Sequence, residues 1–152
     1  SEATWQEMIR CMQEAVGYAE ESGVTLAFEP EVSNVVDSAQ RARRLLDEIR
    51  SPHLKVVIDG ANLFHKGELP QMTAILHEAF DLLGNDIVLA HAKDISQDGE
   101  AGHDAAGTGL LDYDLYLQLL RQSGFQGAII LHSLTEAQTP GCVDFLRRKM
   151  SV

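Results

Sequence analysis

Positive charge is in short supply: 12 Lys and Arg stand against 23 Asp and Glu in 152 residues, a formal charge of −11. Such a balance repels phosphate backbones and disfavours sequence-independent binding to nucleic acid. The densest basic stretches, Arg41, Arg43 and Arg44 and then Arg147, Arg148 and Lys149, fall on expected helices, where a solvated face accounts for them. Cysteine is nearly absent. Cys11 and Cys142 lie far apart, with neither a Cys-x-x-Cys pair nor a Cys/His zinc spacing, which excludes a disulfide framework and suits a reducing cytoplasm. No apolar run approaches the ~20 residues that cross a bilayer, and the N-terminus lacks the tripartite pattern of a signal peptide. A soluble, cytoplasmic protein is expected, and a chain that opens on Ser1 rather than Met reads as processed or as an excised piece. Low-complexity segments and interdomain linkers are also missing, so 1–152 is expected to form a single domain.

What is present is a globular composition, 45% hydrophobic and 23% charged, with a regular alternation of patterns. From Thr4 to Glu21 apolar residues recur every three or four positions, the stripe of an amphipathic helix closed by Gly23. Val24 to Glu29 then forms an apolar run stopped by Pro30, and a helix is expected from Ser38 to Ile49. The same strand-then-helix unit recurs three times: Leu54 to Asp59 with Pro70 to Leu83, Asp86 to His91 with Tyr113 to Gln122, and Ala128 to His132 with Pro140 to Lys149. That rhythm predicts right-handed βαβ units, an α/β fold with a parallel sheet covered by helices. The connection from Lys93 to Leu111 is longer than a typical βα loop and is a candidate functional loop.

Each expected strand ends on a residue able to move a proton or hold a metal: Glu29, Asp59, His91 and His132. Parallel α/β folds bind their ligands at the carboxyl ends of the strands. Taken singly, each residue has a plainer explanation. Glu29 before Pro30 could be a solvated loop acid, Asp59 before Gly60 a turn former, and the two histidines buried imidazoles with ordinary partners. Four such coincidences at one end of one sheet are harder to accept than one site. Two carboxylates and two imidazoles make a four-ligand set for a divalent ion, Mn, Zn, Co or Mg, with the histidines favouring the first three. Such an ion would polarise a carbonyl and stabilise an enediolate or alkoxide, or equally activate water for hydrolysis.

Other residues near these ends have less distinctive settings. Lys93 would orient a substrate hydroxyl or form a buried ion pair with Asp94 or another rim acid. His103 lies in the long loop among Gly102, Gly107 and Gly109, which allow close approach to a ligand or merely mark a turn. Glu136, four residues beyond His132, is a second acid at the same rim or a polar loop residue. His53, His65 and His77 are assigned no role.

Ala27-Phe28-Glu29-Pro30, Val57-Ile58-Asp59-Gly60-Ala61-Asn62, His91-Ala92-Lys93-Asp94, the element from Gly107 to Asp112 and Gly124-Phe125-Gln126-Gly127 together resemble the xylose isomerase-like TIM barrels. That superfamily holds sugar-phosphate isomerases and epimerases together with apurinic-site endonucleases. The resemblance covers nearly the whole chain but only the C-terminal half of the barrel, strands five to eight, preceded by one helix; it implies a missing N-terminal half. It also implies metal ligands at the ends of those strands, which carry over to Glu29, Asp59 and His91. The fourth position holds His132 where the family usually has Glu, a residue that also moves a proton in the epimerases. Asn62 stands in place of the His of the family's Asp-x-x-His, at a substrate contact. His103 matches a ligand of the endonuclease relatives, yet its usual Asp partner two residues earlier is Ala101, so a trinuclear phosphodiesterase site is not implied.

The function expected is therefore a metal-dependent sugar or sugar-phosphate isomerase or epimerase. Glu29, Asp59, His91 and His132 would hold the ion; Glu29, Lys93 and His132 would be the catalytic residues, a carboxylate or histidine shuttling the proton and Lys93 orienting a substrate hydroxyl or the strand-seven His; and Asn62, Lys93 and His103 would meet the substrate. The fragment alone could be inactive. An apurinic-site endonuclease is the competing enzyme class. A third reading is a non-catalytic half-barrel whose exposed sheet edges pair in a homodimer. A small-molecule sugar or sugar phosphate is the expected partner, with no nucleic acid and no membrane.

Overall fold

The computed structural model describes residues 1–151 and contains four parallel strands with helices packed on one face. Helix α1 (Glu2–Ser22) starts where the Ser1 hydroxyl accepts from the Thr4 N–H, and it stops at Gly23, whose φ of 65° is a left-handed cap. Its apolar stripe buries Trp5, Ile9, Val16 and Ala19. Strand β1 (Leu26–Phe28) is shorter than the apolar run that encodes it, because the Val24 N–H is still held by the Ala19 carbonyl in the helix cap. Ser38 caps helix α2 (Ala39–Ile49), and strand β2 (Leu54–Asp59) follows.

The segment after β2 opens with a tight 3₁₀ turn, Gly60–Asn62, and a second one, Leu69–Gln71, places Pro70 ahead of helix α3 (Met72–Leu83). The expected helix thus begins two residues late, since Pro70 fits a first turn and supplies no N–H to continue it. Strand β3 (Ile87–Asp94) runs three residues beyond its expected end at His91. The cause is a two-residue strand, β4 (Asp104–Ala105), which folds back from the long loop and pairs antiparallel with Lys93 and Asp94. Helix α4 (Tyr113–Gln122), strand β5 (Ala128–Leu131) and helix α5 (Thr139–Met150) complete the chain.

The parallel sheet runs β1-β2-β3-β5. Along β2 burial alternates, with Leu54, Val56 and Ile58 sealed under the helices and Lys55 and Val57 half-buried on the opposite face. One continuous apolar cluster fills the helix-covered side, from Trp5 through Leu45, Leu76 and Leu83 to Leu146. On the other face Ile130 stays 44% exposed. Among the described residues β1 and β5 each pair on one side only, so the sheet has two open edges, as half of a barrel must.

The register decides what meets at the carboxyl end. Asp59 lies directly across from His91, and His91 from Ile130, so the ends of β2 and β5 flank the middle of the longer β3, with β1 on the far side of β2.

Candidate metal centre

Glu29 follows β1 immediately, Asp59 closes β2 and His91 lies within β3, and one ligating atom from each falls within a group spanning 4.8 Å. His91 Nδ1 is 3.3 Å from Glu29 Oε1 and 3.7 Å from Asp59 Oδ2. Asn62, at the end of the first 3₁₀ turn, donates from Nδ2 to the same Glu29 oxygen at 2.6 Å and so holds the carboxylate toward the imidazole. Lys93 extends its ammonium to within 3.5 Å of Asp59 Oδ2. Of the two kinds of acid open to it, Lys93 therefore pairs with Asp59 and not with its neighbour Asp94.

Asp59 is wholly buried, and its two oxygens differ. Oδ1 accepts the Ala61 N–H at 3.0 Å and caps the 3₁₀ turn, whereas Oδ2 has no hydrogen-bond partner. Burial pushes its carboxyl up to about 6, against the pull of the Lys93 charge and the Ala61 N–H. Asn62 Oδ1 is a second buried acceptor without a donor. Buried polar atoms in a folded protein are nearly always paired, so two orphans side by side with an imidazole describe a place prepared for something else. Two carboxylates and an imidazole are the donor chemistry of Mn²⁺, Zn²⁺ or Co²⁺, and the unpaired Asp59 oxygen supplies the lone pair such an ion takes. The residues fit the group.

The remaining candidates stand at other distances. His132 lies one residue past β5 and its ring stacks on that of His91, with centroids 5.0 Å apart and planes 14° apart, outside the three-residue group. Its Nδ1 is 2.9 Å from Ser133 Oγ, a residue held at φ 53°. Burial, then the nearby Lys93 and His91, lower its pKa. His103 is exposed in the long loop before β4 and Glu136 is exposed in the 3₁₀ turn before α5; neither joins the cluster.

Two tyrosines that sequence reasoning did not single out, and Asp94, which it offered as a partner for Lys93, make the centre rigid. The Tyr116 hydroxyl lies 3.2 Å from the Ile58 carbonyl and 3.0 Å from that of His91, bridging the two strands behind their functional side chains. Tyr113 donates to the Lys93 carbonyl at 2.8 Å. Asp94 turns away from the centre and accepts from the N–H groups of Ile95, Leu111 and Gly107, fixing the long loop. The sequence signal for the tyrosines was available: two of them three residues apart on a helix face, each needing a partner once buried.

A model of the xylose isomerase-like TIM barrel family matches residues 1–149. No curated protein matches the chain. Among solved structures, a D-tagatose 3-epimerase-like protein superposes with a TM-score of 0.76 at 16% identity, covering 94% of this chain and 53% of its own. A xylose isomerase domain protein from Planctomyces limnophilus gives 0.77 at 20% identity, with 95% and 51% covered. An L-ribulose 3-epimerase gives 0.71 at 16% identity, with 100% and 47% covered. This chain spans about half the length of the structures it matches, and identities this low speak for the fold alone. With four parallel strands, their helices and the family match over nearly every residue, the chain belongs to the xylose isomerase-like TIM barrel family.

Proposed function

We propose that this chain carries the metal-binding half of a sugar or sugar-phosphate isomerase or epimerase. The observation that carries the reading is the convergence of Glu29, Asp59 and His91 at the carboxyl ends of three adjacent strands around a buried, unpartnered Asp59 oxygen. A divalent ion bound there, Mn, Zn, Co or Mg, would polarise a keto-sugar carbonyl and make the neighbouring carbon-bound proton acidic. The chain's own groups do the rest. Asn62 holds one oxygen of Glu29, leaving the other free to take that proton. His132, tied through Nδ1 to Ser133, presents Nε2 as a second proton carrier on the far side of His91. The Lys93 ammonium is a donor for a substrate oxygen, and Asn62 Oδ1 an acceptor for a substrate hydroxyl. His103 would serve at the outer rim.

Elemental analysis after Mn²⁺ loading tests the site: one ion per chain in the wild type, and little in Glu29→Gln or His91→Ala, is expected. Incorporation of solvent deuterium beside the carbonyl of a ketohexose, followed by NMR, tests the chemistry. A wild type that binds no ion, or one that cleaves an abasic oligonucleotide, sinks the assignment. The two open sheet edges favour a complementary half-barrel over an isolated monomer, whether from the rest of a longer chain or from a second copy, and light scattering distinguishes these.

A further inference from the structure

Resting on that reading of the metal centre, we infer that a one-residue bulge at Val88 is what turns His91 toward Glu29 and Asp59, and that Gly127 is the positioning residue that makes room for the bulge.

Strands β2 and β3 are parallel throughout, but their pairing changes phase. Ile87 pairs with Val56, whereas Leu89, Ala90 and His91 pair with Val57, Ile58 and Asp59. Between these ends β2 takes three steps, Val56 to Asp59, and β3 takes four, Ile87 to His91, so Val88 has no residue opposite it. Burial marks the same break. Ile87, Ala90 and Ala92 lie under the helices, while Val88, 39% exposed, and Leu89, half-buried, follow one another outside that layer. A regular strand cannot do this, because successive side chains alternate. Carried upward from Ile87 without the bulge, the ladder would set Ala90 against Asp59 and send His91 to the face of Ile87, beneath the helices. The imidazole would then leave the two carboxylates. Bulges are rare in parallel pairs and recur beside functional sites, where they re-aim a side chain.

Both ends of the segment are pinned, so the extra residue is taken up between them. Below, Asp86 is held by Lys55 Nζ at 2.7 Å and by Arg43 Nη1 at 2.9 Å, which fixes the start of β3 against β2 and α2. Above, the Tyr116 hydroxyl holds the His91 carbonyl at 3.0 Å and Tyr113 that of Lys93 at 2.8 Å. On the other flank β5 joins the ladder where Ala128 meets Leu89, and the residue before it, Gly127, lies against the bulge. A Cβ on Gly127 would collide with the Val88 carbonyl oxygen and come within 2.6 Å of the Phe125 ring. Gly127 does not have a left-handed φ, so what it supplies is the close approach of one backbone to another.

The test compares Gly127→Ala with a double variant that also lacks Val88. Mn²⁺ affinity is read by titration calorimetry, and in the metal-free protein NMR reads the Overhauser contacts between the His91 and His132 rings, whose centroids stand 5.0 Å apart. Gly127→Ala should bind Mn²⁺ about tenfold or more weakly than the wild type and lose the ring contacts. Removing Val88 as well leaves a regular ladder in which Ile87 still meets Val56 and His91 still meets Asp59, with no bulged carbonyl for the new methyl to strike. The double variant should therefore regain the ring contacts, an Mn²⁺ affinity within a few-fold of the wild type and a melting temperature above that of Gly127→Ala. A glycine needed only for local packing would not be rescued by shortening a different strand. Gly127→Ala with wild-type affinity and ring contacts overturns the inference, as does a double variant that melts no higher than Gly127→Ala or folds without the ring contacts. A wild type that binds no Mn²⁺ overturns the metal reading alone, because the ring contacts and melting temperatures still decide the role of the bulge.

Discussion

Lys93 Nζ stands 3.5 Å from Asp59 Oδ2, and water reaches neither group to any useful extent. A separation of 3.5 Å makes an ion pair without a good hydrogen bond, so the carboxylate keeps part of the cost of leaving water. The raised pKa of Asp59 expresses that residue of cost, and the pair behaves as a charge held ready rather than as a strut of the fold.

The first prediction follows from the sign of that shift. In the metal-free protein Asp59 titrates near 6, above its ordinary 3.8, so folding takes up a proton and stability declines as pH rises through this window. Asp59→Asn has no such term. Urea unfolding in the presence of chelator should show the variant gaining about 2 kcal/mol on the wild type between pH 4.5 and 7.5. A gap that does not widen with pH would show that Asp59 is buried as an ordinary charged group.

Removing the other partner has the opposite consequence. Lys93→Met leaves Asp59 buried beside a second carboxylate with no ammonium, and breaking a buried pair in this way costs roughly 3 kcal/mol or more. A divalent ion can then replace the lost charge. Mn²⁺ should raise the melting temperature of Lys93→Met by more than it raises that of the wild type, measured by calorimetry at pH 7.5. Equal shifts would mean that Lys93 and the ion do not share Asp59.

The long loop yields a prediction of its own because its order rests on one side chain. Asp94 accepts three backbone N–H groups, and a Cβ on Gly109 would come within 2.5 Å of Asp94 Oδ1, so the loop is wrapped tightly around that carboxylate. Asp94→Ala strands three donors and should cost on the order of 3 kcal/mol. Hydrogen exchange at Gly107 and Leu111 should accelerate well beyond that of the core strands. Unchanged protection at these amides would locate the loop's stability elsewhere.

How legible this was in the sequence depends on the range of the interaction. Leu54 to Asp59 and Tyr113 to Gln122 could be bounded closely because their patterns and stop signals are local. Strand β3 ran past His91 because its last residues pair with a segment ten positions away, across a glycine-rich loop that carries no strand pattern. Glu29, Asp59 and His91 were visible as strand ends. That Asn62 would bond Glu29, and that Lys93 would choose Asp59 over Asp94, depended on rotamers and on the reach across three strands. No spacing rule encodes those.

The fourth strand end is where the geometry separates position from role. Ligation of one ion by two imidazoles requires their in-plane lone pairs to meet at a point about 2 Å from each ring. The His132 ring instead lies stacked on that of His91, in a nearly parallel plane, with its Nδ1 engaged by Ser133. His132→Ala should therefore keep one Mn²⁺ per chain with an affinity within a few-fold of the wild type, whereas His91→Ala should lose it by about a hundredfold or more. In the deuterium-exchange assay the order should reverse in meaning: His132→Ala, with its ion in place, should exchange slowly because a proton carrier is gone. Loss of the ion from His132→Ala to the same extent as from His91→Ala would restore His132 as a fourth ligand and require its ring to turn out of the stack.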